Sequence, residues 1–102
     1  MKQVRILFRE EYNEYPEELV VLIVPDNITN KEIKEKLDEA NNIMSCFFGK
    51  DYEEYNISKE DAEIMEKVFG GCCEDTILNF IHKKYGWEYE YVTEEYDIDY
   101  VY

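Results

Sequence analysis

Few residues in this chain have a type and spacing that could do covalent chemistry. They are three cysteines, Cys46, Cys72 and Cys73, and a single histidine, His82. Cysteine catalysis needs a thiolate held beside a base. Cys73 and His82 fall on one expected helix, nine residues apart. That separation is about 13.5 Å along a helix axis, so the two cannot meet there. Cys46 reaches His82 only if tertiary packing brings them together. A zinc centre takes about four ligands, usually in paired spacings such as C-x-x-C. Adjacent cysteines and one histidine do not supply them. The acidic run Asp51-Tyr52-Glu53-Glu54 lacks the glycine and the terminal bidentate glutamate of a calcium loop. Gly70-Gly71 ahead of a helix resembles a phosphate-binding start, but Glu74 and Asp75 in the first turn repel phosphate and no P-loop lysine follows. Paired carboxylates can hydrolyse glycosides. With 25 Asp and Glu in the chain, however, some pair always lies at a suitable separation. The expectation is no catalytic residue, no metal and no cofactor.

The remaining chemistry is charge. The 102 residues carry 25 Asp plus Glu against 11 Lys plus Arg, a formal net charge of -14. Small soluble domains carry a net charge of magnitude about 2 to 8. An excess this large argues against direct contact with nucleic acid, which needs cations to replace counterions on phosphate. It argues equally against an anionic membrane surface. It favours a basic protein as partner.

The acid is unevenly placed. Residues 87–102 hold Glu88, Glu90, Glu94, Glu95, Asp97 and Asp99 with no lysine or arginine, and tyrosines interleave them. The expected partner-binding residues are Glu88, Glu90, Tyr91, Glu94, Glu95, Tyr96, Asp97, Asp99 and Tyr100. A secondary set is Glu10, Glu11 and Glu14 in one connection, with Asp51, Glu53 and Glu54 in another. On a strand, alternate residues project together, roughly 6.6 to 6.8 Å apart. If the two halves of the tail pair, their rows lie about 4.8 Å apart and form a dense negative field. Like charges facing across strands destabilise a sheet, and no cation in the tail relieves them. The plain alternative is a solvated sheet face with a charge-guarded edge.

In size and charge the chain resembles the DNA-imitating inhibitors of restriction and CRISPR enzymes found among phages and mobile elements. The resemblance is compositional, and no residue roles are carried over from it. It implies a non-catalytic inhibitor of a basic nucleic-acid-binding protein such as a nuclease, acting as an anti-restriction or anti-CRISPR nucleic-acid mimic. The alternative is a small interaction or adaptor domain without mimicry, with an aromatic interface around Tyr91, Tyr96 and Tyr100.

The elements that must position these residues are legible from period and punctuation. Val4, Ile6 and Phe8 alternate with Arg5, Leu7 and Arg9, which predicts a strand. Leu19 to Val24 is a continuous apolar run, which predicts a central strand. Thr29 with Glu32 has the spacing of a capping box. Ile33, Leu37, Ala40, Met44 and Phe47 then follow a helical stripe ending near Gly49. Ser58 opens a second helix, stopped by Gly70 and Gly71. A third runs from near Cys73 to a cap at Gly86, with Trp87 as a core anchor beyond it. The tail alternates again, with a phase flip over residues 92–95.

The expected fold is α+β: one domain over residues 1–102, in the order β-β-α-α-α-β-(β), with an antiparallel sheet. An odd cysteine count with two adjacent cysteines suits a reducing compartment. Residues 1–10 form no apolar leader segment. No apolar run approaches the roughly 20 residues that span a bilayer. The expected setting is the cytoplasm.

Overall fold

In the computed structural model the chain is α+β in the expected order, two strands, three helices and two further short strands. The structure describes residues 1–9, 18–49, 53–92 and 97–102. It divides into two compact units: a sheet unit of Met1–Asn30 with Trp87–Tyr102, and a helical unit of Lys31–Gly86.

The sheet unit is built on β1 (Lys2–Phe8) and β2 (Glu18–Val24), paired antiparallel from Lys2↔Val24 to Phe8↔Glu18. Period-two alternation sends Val4, Ile6 and Phe8 to the same side as Val20, Leu22 and Val24, and all six are buried. On the other side Leu19, Val21 and Ile23 are half-buried. The continuous apolar run is therefore central in the sheet but fully buried on one face only. Trp87 is buried, as its position after the helix cap predicts.

The tail does not form a hairpin. β3 (Glu88–Val92) pairs antiparallel with β2, while β4 (Tyr100–Val101) pairs parallel with β1. The strand order is β3-β2-β1-β4, so the sheet is mixed rather than antiparallel. The two halves of the tail sit at opposite edges, about 14 Å apart at three strand spacings.

Asp99 fixes the second edge. Its backbone N–H donates to the Arg5 carbonyl at 2.9 Å, and its carboxylate accepts the Arg5 backbone N–H, also at 2.9 Å. Tyr102 N–H donates to the Leu7 carbonyl and Arg9 N–H to the Tyr102 carbonyl, each at 2.8 Å. The Tyr102 ring meets Phe8 edge-on at 5.6 Å.

The helical unit follows its local signals. In α1 (Asn30–Gly49) the stripe Ile33, Leu37, Ala40 and Met44 is buried. α2 (Lys59–Val68) starts at Ser58, whose hydroxyl accepts the Asp61 N–H at 3.1 Å. Phe47 and Phe69 stack at 4.4 Å, joining the ends of α1 and α2. α3 (Cys73–Tyr85) buries Ile77, Leu78, Phe80 and Ile81 and ends at Gly86 in the left-handed conformation, φ 74°.

The turn between α2 and α3 is held by one hydroxyl. Thr76, buried within α3, donates to the Gly70 carbonyl at 2.9 Å and accepts the Gly70 N–H at 3.3 Å. Gly70 and Gly71 reach it through positive φ of 150° and 71°. Thr76→Val keeps the shape but leaves both Gly70 groups without this partner. It is expected to destabilise the chain by about 1–3 kcal/mol in urea unfolding, and Thr76→Ser by less.

Candidate functional site

The two units differ in how many cations accompany their carboxylates. The helical unit holds 13 acids and 8 cations, whereas the sheet unit holds 12 acids and 3 cations. The excess charge therefore concentrates in the sheet unit. Its three cations, Lys2, Arg5 and Arg9, all lie in the first nine residues.

In the helical unit one lysine joins two of the acids. Lys84 on α3 donates to Glu39 of α1 at 2.5 Å and sits 2.9 Å from Asp61 of α2. The Tyr85 hydroxyl donates to the other Glu39 oxygen at 2.7 Å, and Lys36 lies 4.9 Å over the Tyr85 ring. One ammonium thus clasps three helices. Burial by itself pulls the Lys84 pKa down, but the hydrogen bonds to Glu39 and Asp61 outweigh it and the net shift is upward. For Glu39, burial pushes upward and the bonds from Lys84 and Tyr85 outweigh it, so the net shift is downward.

The signs set a pH window. A raised lysine stabilises the fold below its ordinary 10.5 and loses that contribution as pH rises through the folded value. A lowered carboxyl stabilises above its ordinary 4.5 and loses it as pH falls. The clasp is therefore complete between these two values. Relative to a Lys84→Met variant, the wild-type stability advantage is expected to be flat across that window and to shrink beyond both ends. Chemical denaturation at stepped pH checks this.

Beside the clasp is an open groove of about 880 Å³, lined by Glu35, Glu39, Cys46, Tyr55, Asn56 and Asp61 among others. A groove at Cys46 is the feature that catalysis would require. Its polar groups are largely committed elsewhere. Glu39 and Asp61 hold Lys84, Asp38 holds Lys34 at 2.7 Å, Ser45 donates to the Asn41 carbonyl and Ser58 caps α2. No histidine lines the groove beside Cys46. Cys72 and Cys73 are exposed where α3 begins. Among the described residues no group of His, Cys, Asp and Glu could hold a metal ion. No helix among them is long and apolar enough to cross a membrane.

Glu88 and Glu90 are exposed on β3. By register Glu90 lies beside Val21, which lies beside Arg5, so two strand spacings, about 9.6 Å, separate it from the nearest cationic position in that row. Among the described residues neither Glu88 nor Glu90 has a side-chain hydrogen bond or an ion pair, and the same holds for Asp97 at the opposite edge. Asp99 differs, because its carboxylate is engaged by the Arg5 backbone.

No known protein family, curated protein or solved structure matches this chain.

The expected acidic-aromatic surface separates into parts. The row Tyr91, Val20, Ile6, Tyr100 crosses the whole sheet on the face opposite Glu88 and Glu90. Tyr91 and Tyr100 therefore share a face but stand at opposite edges, with fully buried Ile6 and Val20 between them. They make no continuous patch. Glu53 and Glu54 are exposed in a turn of the helical unit. Glu10, Glu11, Glu14, Asp51, Glu94, Glu95 and Tyr96 lie outside the described residues. The Lys84 clasp and the groove escaped the sequence reading. Glu39 and Lys84 are 45 residues apart, and no local spacing signals that pairing.

Proposed function

We propose that this chain is a non-catalytic acidic binding protein that occupies the cationic surface of a nucleic-acid-binding protein, a nuclease being the leading case, and so inhibits it. The observation that carries the reading is the pair Glu88 and Glu90, exposed on one face of one strand and unpaired among the described residues, in the unit with the fewer cations. Exposed carboxylates that share one strand face with no cation beside them suit a partner that supplies the missing cations. With the tail divided between two edges, the binding surface is a short acidic edge rather than a long double row imitating both strands of a duplex. An anti-defence role in a host cytoplasm, as a phage or mobile element would need, fits this chemistry.

Affinity recovery from host extract tests the reading. The expected catch is one or more basic nucleic-acid-binding proteins that elute as salt rises from about 50 to 200 mM. A catch that ignores salt, or that contains no basic protein, would contradict it.

A further inference from the structure

The geometry points to the sheet face that carries Leu19, Val21 and Ile23 as a docking surface: it takes an amphipathic helix of the basic partner, with the helix's apolar stripe along β2 and its Lys or Arg on the flank beside Glu88 and Glu90. This rests on the function proposed above and specifies the contact through which it acts. Leu19 to Val24 is apolar throughout, the pattern of a strand buried on both faces. Within that run only Val20, Leu22 and Val24 are fully buried. Leu19, Val21 and Ile23 point the other way and are half-buried. A sheet face left to water carries polar residues at such positions. The register extends the apolar surface sideways. Val92, Leu19, Leu7 and Val101 form one row across all four strands, about 14 Å long. Leu7 is buried within the row, and Val101 at its end is 45% exposed. A contiguous apolar surface rimmed by polar residues marks an interaction site.

Charge defines the occupant. On this same face Glu90 lies beside Val21 and Glu88 beside Ile23, and both carboxylates are exposed. They stand about 6.6 to 6.8 Å apart. Residues i and i+4 of a helix are about 6 Å apart along its axis, so two basic residues at that spacing meet both carboxylates. A sheet face meets its partner through side chains, which suits the apolar stripe of a helix. On the other side of β2 the neighbours of Val21 and Ile23 are Arg5 and Gln3. The matching helix is therefore basic on one flank and neutral or acidic on the other. A second copy of this chain is a poor occupant. The sheet unit carries 12 acids against 3 cations, and two such surfaces repel.

The test uses three synthetic helical peptides and the whole chain. One has a leucine stripe with lysines along one flank. In the second the leucines are replaced by glutamine, and in the third the lysines are. Binding is read by fluorescence anisotropy and by the methyl NMR signals of Leu19, Val21 and Ile23. The first peptide is expected to bind about tenfold more tightly than either control and to move those signals. Val21→Thr with Ile23→Thr keeps β-branched residues in the strand. It is expected to abolish the tenfold advantage with an unchanged circular dichroism spectrum. Equal binding of the first and second peptides to the wild-type chain, with unmoved methyl signals, would overturn the docking face and leave the acidic-binding reading standing. Methyl signals that shift with protein concentration in the absence of peptide would assign the face to a second copy and overturn the proposal. No binding of any peptide would overturn it too, and combined with a salt-insensitive catch from extract it would remove the acidic-binding reading as well.

Discussion

Lys84→Met is expected to destabilise the helical unit by about 2–3 kcal/mol, the size associated with losing hydrogen bonds to charged groups. The side chains of Lys84, Glu39 and Asp61 are only 24%, 31% and 16% exposed. Deleting the ammonium leaves two carboxylates facing one another in a partly dry site, with Tyr85 and Lys36 as the remaining support for Glu39. The penalty comes mainly from those stranded charges and not from a lost attraction. Glu39→Gln with Asp61→Asn on the Lys84→Met background is therefore expected to recover part of the loss. In urea unfolding the midpoint should fall for the single variant with the slope unchanged. A Lys84→Met protein as stable as the wild type would show that the three helices are held by packing alone.

The second large effect concerns binding. Glu88→Lys with Glu90→Lys is expected to weaken association with a basic partner on the order of 100-fold, since each reversal turns an attraction into a like-charge clash. It should also flatten the dependence on salt. The proper control is Glu63→Lys with Glu66→Lys on the exposed side of α2. It changes net charge by the same amount but lies in the helical unit. Equal weakening by the two doubles would assign binding to overall charge and take it away from β3. Both sites are exposed, so circular dichroism is expected to show unchanged folds.

What the sequence disclosed was local. Ser58 caps α2, Gly86 closes α3, and the stripe of Ile33, Leu37, Ala40 and Met44 is buried, because each signal lies within a turn or two of its effect. Alternation in the tail likewise assigned faces: Tyr89 and Tyr91 to one side, Glu88 and Glu90 to the other. It could not assign partners. Period two says which residues project together but not which neighbouring strand they lie beside, and β4 chose β1 through backbone bonds made by Asp99 and Tyr102. That choice separated Asp97 and Asp99 from Glu88 and Glu90. It also gave Asp99 a structural role that residue type alone does not reveal. The Lys84 clasp joins residues 23 and 45 positions apart and depends on how three helices meet. The same is true of the groove beside it.

The central claim is that unpaired acid on β3 competes with nucleic acid for a cationic protein surface. The most direct measurement is a displacement titration. A labelled DNA duplex is bound to the basic protein recovered from extract, and the chain is added at about 50 and about 200 mM salt. Displacement at low salt, weakened at high salt and lost in the Glu88→Lys, Glu90→Lys double variant, is the expected result. A duplex that stays bound at saturating concentrations of the wild-type chain, or that is displaced equally well by the double variant, would contradict the claim.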